Sequence, residues 1–171
     1  MSIELYLLRH AAAETGGTDA SRALTRDGHR AAKDAATTLA RLGFTVDLVL
    51  CSPALRAHQT ALIFQLALCR ADLEDDAALA AGAVPEVVAR LLETRREKAG
   101  ALRRVLVVGH MPDLADLSLY LAAEAKAASA SFAPAQMVRF DFDDAIGRGR
   151  GRLVWSLRAE AMAELVELPK G

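Results

Sequence analysis

The sequence predicts an α/β domain, a three-layer sandwich in which a mostly parallel central sheet is flanked by helices on both faces. Three observations predict it. Short aliphatic runs alternate with longer helical segments, a pattern that implies right-handed crossovers and parallel pairing. The run Arg104-Val-Leu-Val-Val108 is nearly all aliphatic, as a strand covered on both faces has to be. The 171 residues, 53% hydrophobic and 25% charged, suit one packed domain spanning residues 1–171 and argue against wholesale disorder.

The first strand is Ile3–Arg9, an apolar run that ends on Arg9-His10. A polar, glycine-containing loop covers residues 11–22. Leu24-Thr25-Arg26-Asp27-Gly28 opens the first helix, with Thr25 as N-cap because its hydroxyl can accept a free N–H of the first turn. That helix runs to Leu42 and stops at Gly43, which suits the left-handed position after a helix end. The second strand covers residues 47–51. Ser52-Pro53 reads as an N-cap serine followed by proline at the first helical position, and the helix continues to about Cys69.

Residues 71–83 have no clear period and receive no assignment. A helix follows over 85–98, closed by Gly100, and then the strand 104–108, ended by Gly109-His110. Pro112 begins a helix reaching about Lys126. Residues 136–142 and Arg152–Leu157 read as two more strands, either a hairpin or separate sheet positions, joined by Gly147-Arg-Gly-Arg-Gly151. That turn reads as a solvated hairpin turn rather than a basic recognition loop. The tail from residue 160 reads as a short helix or a frayed end. Alanine is abundant, which favours helix and adds little core volume.

A net charge of −1 argues against a general nucleic-acid or anionic-membrane surface. Cys51 and Cys69 form neither a metal-ligand spacing nor a CxxC pair, and read as reduced, mostly buried residues. No run reaches the roughly 18 apolar residues of a membrane span, and no signal-peptide pattern opens the chain. The expectation is a soluble, cytoplasmic protein with no nucleic-acid or membrane partner.

Ligands of parallel sheets bind outside the carboxyl ends of the strands. Three predicted strands deliver polar groups to that edge. The first delivers Arg9 and His10, the second leads through Ser52-Pro53 to Arg56, and the third delivers His110. Each has an ordinary explanation alone: a loop histidine, a surface arginine, a histidine bonded to backbone. Together, two arginines and two histidines with no carboxylate among them make an anion site, aided by the N–H groups of the helix start at Ser52. No metal-ligand spacing accompanies them, so the side chains must neutralise the charge. His29 and His58 are left outside the chemistry, since His58 lies two residues beyond Arg56 and so on another helix face.

These segments resemble the histidine phosphatase (phosphoglycerate mutase-like) superfamily, and most closely its small SixA-type phosphohistidine phosphatase branch. The resemblance rests on Leu8-Arg9-His10-Ala11, Ala23-Leu24-Thr25-Arg26-Asp27-Gly28, the segment from Leu50 to Ala61 containing Ser52-Pro53-Ala54-Leu55-Arg56-Ala57-His58-Gln59-Thr60, and Val107-Val108-Gly109-His110-Met111-Pro112. It spans residues 3 to about 122; the rest matches only in strand pattern. It implies a phosphoglycerate mutase-like fold, transient phosphorylation of His10, and phosphoryl oxygens bound by Arg9, Arg56 and His110. Two departures stand out. Ala11 replaces the glycine usual after the catalytic histidine, as in SixA-like members. The region Leu79-Ala-Ala-Gly-Ala-Val-Pro-Glu86 offers no acid in a clearly matching place, leaving Glu14, Glu74, Asp75, Asp76 and Glu86 as substitutes.

An alkoxide leaving group needs a proton, and a positioned acid contributes typically about 10²–10⁴-fold, whereas an imidazole leaving group asks for less. The expected reaction is therefore hydrolysis of phosphohistidine on a partner protein, such as a histidine phosphotransfer domain or a phosphotransferase component, with a place in signal transduction. The 54 positions from Arg56 to His110 leave no room for a helical lid insertion, which suits a protein-borne substrate. The alternatives are a phosphomonoesterase of a small phosphorylated metabolite and a phosphate-binding module without turnover. No cofactor and no metal are expected. Turnover undiminished in excess chelator is the expected result, and full loss would contradict the anion-site reading.

Overall fold

The computed structural model describes residues 2–68, 72–99, 102–123 and 131–164. The chain runs β1 (Ile3–Arg9), α1 (Arg26–Arg41), β2 (Leu48–Cys51), α2 (Leu55–Leu68), β3 (Leu73–Asp75), α3 (Pro85–Ala99), β4 (Arg104–Gly109), α4 (Asp113–Leu121), β5 (Met137–Phe142), β6 (Arg152–Leu157) and α5 (Ala159–Glu164). Short 3-10 turns lie at Asp19–Ser21 and Ala77–Leu79. One six-stranded sheet has the order β3-β2-β4-β1-β5-β6. β3, β2, β4 and β1 pair in parallel, while β1–β5 and β5–β6 are antiparallel. This is the expected mostly parallel sheet, and the last two strands form the hairpin arm of the two alternatives.

Alternation along the strands sorts the core into two layers. Leu5, Leu7, Leu50, Val105 and Val107 pack against α3 and α4 through Val88, Leu92, Leu114 and Leu117. Tyr6, Leu8, Val49, Leu106 and Val108 pack against α1, α2 and α5 through Ala35, Ala36, Ala57, Ala61, Phe64 and Met162. The alanines are thus core residues. Buried where α1, α2 and the sheet meet, they let the backbones approach closely, so they shape the core although each adds little volume.

The parallel register brings the carboxyl ends of four strands to one edge. Arg9 of β1 stands opposite Gly109 of β4, and Cys51 of β2 stands opposite Val108 of β4 and Asp75 of β3. β1 and β4 are sheet neighbours although α1, β2, α2, β3 and α3 come between them in the chain. The crevice at their ends lies where the chain, having moved outward from β1 to β2 and β3, returns to insert β4.

Several elements differ from expectation. The aperiodic stretch 71–83 contains β3, whose side chains are only half-buried and so leave no apolar run to read. α2 begins at Leu55 rather than at Pro53, because the Ala57 and His58 N–H groups close on the Ala54 carbonyl. α4 ends at Leu121 because Ala122 leaves helical geometry and bridges to Gly151. The Gly/Arg segment is correspondingly no free hairpin turn. Gly149 N–H donates to Tyr120 and Gly151 N–H to Leu121, which packs the connection onto the end of α4. Cys69, Gly100, Lys126 and residues 165–171 lie outside the described residues. Among the described residues no helix is long and apolar enough to cross a membrane.

Thr25 caps α1 as expected, its hydroxyl accepting the Gly28 N–H at 2.9 Å. Gly28 has a second task. The start of α1 presses on the loop after His10, Thr25 N–H donates to the Ala12 carbonyl at 2.9 Å, and a Cβ on Gly28 would fall 2.0 Å from that same oxygen. Gly28→Ala is therefore expected to lower stability by about 1–3 kcal/mol through backbone displacement. Gly147→Ala, whose Cβ would meet nothing closer than 3.6 Å, should stay within roughly 0.5 kcal/mol. Urea unfolding of both variants measures the contrast.

Candidate active site

His10 leaves the end of β1 with its N–H bonded to the Gly109 carbonyl at 3.1 Å, which joins the two central strand ends at the site. Its ring is oriented by two contacts. Nδ1 lies 2.7 Å from the Ala11 carbonyl, and since a carbonyl only accepts, Nδ1 carries the proton. Nε2 accepts the Arg56 Nε–H at 3.2 Å, so its lone pair faces the arginine. The histidine is neutral, in the tautomer whose outer nitrogen can act as a nucleophile.

Arg56, on the first turn of α2, is 3% exposed. It donates from Nε to His10, from Nη2 to His110 Nδ1 at 3.1 Å and to Asp19 Oδ2 at 3.0 Å, and from Nη1 to the Asp19 carbonyl. His110 accepts at Nδ1, so its proton sits on Nε2 and goes to Ser52 Oγ at 2.7 Å. Ser52 Oγ also receives Ala54 N–H at 3.2 Å. The two imidazole rings stand 5.2 Å apart between centroids.

Arg9 donates from Nη1 to the Phe132 carbonyl at 2.6 Å, while its buried Nε–H meets no acceptor among the described residues. An unsatisfied buried N–H costs about 1–3 kcal/mol unless something accepts it.

Burial sets the electrostatics. It drives His10 down to about 4, with His110 and the cations of Arg56 and Arg9 pushing the same way against the Ala11 hydrogen bond. His110 is lowered to about 4 by burial and then by Arg56. Burial also lowers Arg9. Asp19, by contrast, is exposed and is held down to about 2 by its bonds from Arg22 and Arg56.

The structure brings Arg9, His10, Arg56 and His110 together, as the strand-end argument requires. It does not bring the five carboxylates. Glu74 pairs with Arg95 at 2.8 Å, Glu86 pairs with Arg148 at 2.7 Å, and Asp76 caps the turn at Ala78. Asp75 receives Cys51 and His58, and Glu14 is exposed in the loop after His10. Among the described residues none of these five bonds to Arg9, His10, Arg56 or His110.

Three supporting residues escaped sequence reasoning. Asp19 sits in an irregular loop, where no periodicity could flag it. Ser52 accepts the Ala54 N–H as a capping serine does, but its contact with His110 leaves no local signal. Thr60 is fully buried on α2, donates to the Arg56 carbonyl at 2.7 Å and accepts the Ala11 N–H at 3.1 Å, tying the loop after His10 to the helix that carries Arg56. Its spacing of four from Arg56 was the available signal. His29 is exposed, and His58 turns to Asp75 rather than to the site.

Residues 5–81 match the family model of the histidine phosphatase superfamily (branch 1). An uncharacterized protein of Picosynechococcus is 34% identical over 119 residues, 67% of this chain and 70% of that one. Among solved structures, the protein histidine phosphatase SixA complexed with tungstate matches with TM-score 0.81 at 23% identity, covering 92% of this chain and 97% of that one. A candidate phosphohistidine phosphatase SixA from Agrobacterium tumefaciens matches at 0.74 and 26% identity over 91% and 97% of the two chains. Its counterpart from Nakamurella multipartitia matches at 0.75 and 26% over 92% and 96%.

Both depressed histidines should titrate by NMR near pH 4, well below the ordinary 6.5. Between those values the unfolded chain binds protons that the folded chain refuses, so stability falls as pH drops from about 6.5 to about 4. His10→Ala should flatten that slope. Thr60→Val strands the buried Ala11 N–H and should cost about 1–3 kcal/mol in denaturant unfolding.

Proposed function

The chain belongs to the histidine phosphatase superfamily, in its SixA-type branch, and from that premise we propose that it hydrolyses phosphohistidine on a partner protein by way of a phosphorylated His10. His10 Nε2 attacks phosphorus in line with the departing group. The substrate's phosphohistidine ring takes a proton from solvent before attack, its P–N bond breaks to release neutral imidazole, and a new P–N bond forms to Nε2. Water then attacks this phosphoenzyme and phosphate departs, restoring His10.

Each role follows from a contact already described. The Ala11 carbonyl keeps the proton on Nδ1, so Nε2 needs no base to become nucleophilic. Arg56 supplies two N–H groups, now turned to the ring nitrogens of His10 and His110, that phosphoryl oxygens between the rings would accept. Arg9 Nε supplies another. His110 Nδ1 becomes a donor once protonated, and a bound dianion favours that proton by raising the ring's affinity for it. Ser52 keeps the ring turned for this exchange. Asp19 holds the far side of the Arg56 fork.

One observation supports the choice of substrate. Among the described residues the carboxylate bonded to this cluster, Asp19, is held at about 2 by Arg22 and Arg56 and has no proton to give at neutral pH. A site without a carboxylic acid is poorly equipped to expel an alkoxide and adequate for imidazole. The chain between Arg56 and His110 supports an open site. It is taken up by the rest of α2, β3, the turn Ala77–Leu79 and α3, all of which build the sheet and its cover. Among the described residues that stretch leaves no segment over for a helical lid, which would suit a histidine displayed on a folded protein.

Turnover of a phosphohistidine-bearing phosphotransfer domain should exceed that of sugar and nucleotide phosphates; faster hydrolysis of the esters would overturn the substrate assignment. Arg56→Ala should lower kcat by about 10²–10³-fold, the usual cost of one donor to a transition-state oxyanion. An acid-labile, base-stable phosphoenzyme should form in the native protein and be missing from His10→Ala.

A further inference from the structure

Cys51, His58 and Asp75 stand outside the phosphoryl site, and their placement is not accounted for by the reaction. Cys51 ends β2 and Asp75 ends β3, paired directly across the two strands. His58 projects from the first turns of α2 toward the same point. Cys51 Sγ lies 2.9 Å from Asp75 Oδ1, and His58 Nδ1 lies 2.8 Å from that same oxygen. All three donor atoms fall within 4.8 Å of one another.

We propose that these three side chains form a binding site for zinc or a closely similar divalent transition metal, separate from His10. A tetrahedral centre with metal–ligand distances of about 2.0–2.3 Å sets its ligand atoms roughly 3.2–3.6 Å apart. The two printed spacings fall just below that range and all three donor atoms lie within 4.8 Å of one another, so side-chain adjustment at the two accessible positions would admit a metal. Thiolate, imidazole and carboxylate together suit zinc and cobalt, whereas magnesium and calcium call for oxygen ligands alone.

The surroundings match a three-ligand site completed by water. Cys51 is fully buried and its strand fixes it, while the His58 and Asp75 side chains are 39% and 44% exposed and leave solvent access. The proton balance is simple. The metal replaces the Cys51 thiol proton, which leaves to solvent. His58 moves its proton from Nδ1 to Nε2 and presents a lone pair to the metal. Asp75 exchanges two accepted hydrogen bonds for one metal bond. Sequence spacing could not reveal this site, since its ligands come from two strand ends and a helix.

The site adjoins the phosphoryl pocket through one peptide bond. Cys51 precedes Ser52, whose hydroxyl holds His110, and the Cys51 carbonyl accepts Asp76 N–H at 2.9 Å. The proposal does not depend on the reaction at His10.

Titration of the full, metal-free chain with cobalt(II) tests it, because a thiolate ligand produces a sulfur-to-cobalt charge-transfer band. The expected result is a band that saturates stoichiometrically and is displaced by zinc. It persists in Cys69→Ser and in His10→Ala, and is lost in Cys51→Ser. His58→Ala and Asp75→Asn, both changes at accessible positions, should weaken cobalt binding by about tenfold or more. Absence of the band, its survival in Cys51→Ser, or unchanged affinity in both of the other variants would overturn the proposal.

Discussion

The buried guanidinium of Arg56 is the group on which the rest of the site depends. It touches His10, His110 and Asp19 at once, and is itself 3% exposed. A buried cation is costly unless its donors are satisfied, and this one is satisfied mainly by groups of the site. Moving any of them would leave a charge with unmet hydrogen bonds. The arrangement is therefore held by the penalty for disrupting it. The same cation, with burial, keeps both histidines neutral, so one residue serves geometry and protonation state together.

The sheet makes that arrangement possible. Parallel pairing of β1 with β4 and of β4 with β2 delivers Arg9-His10, Gly109-His110 and Cys51-Ser52 to one edge without any loop having to find its place. The surrounding contacts then lock the loops. Gly28 lets α1 press against Ala12, and Thr60 ties Ala11 to the helix that carries Arg56. These contacts would preorganise the proposed phosphoryl site, as electrostatic stabilisation of a transition state requires.

Much of this was legible in the sequence because it is written in local patterns. β1 and β6 have the predicted bounds, and α1 has its predicted cap, since alternation, aliphatic runs and capping are local properties. The four residues of the proposed phosphoryl site could be gathered because each lies at or just beyond the end of a strand that reads clearly. What escaped was tertiary. β3 is three residues long and half-buried, so it has no pattern to display. Asp19 belongs to a loop and becomes meaningful only beside Arg56. Ser52 satisfied a capping pattern while its hydroxyl answered His110 across the fold. The Gly/Arg connection looked like a solvated turn because its backbone bonds to Tyr120 and Leu121 leave no trace in composition.

The proposed chemistry rests on one spatial relation: an oxyanion held by Arg9, Arg56 and His110 directly in line with His10 Nε2. A crystal structure of the protein with bound tungstate measures it. The metal centre of the anion should lie against Nε2, its oxygens bonded to Arg9 Nε and the Arg56 guanidinium and close to His110, with Nδ1 still donating to the Ala11 carbonyl. Tungstate bound away from the two histidines, or a His10 ring turned to present Nδ1 to the anion, would contradict it.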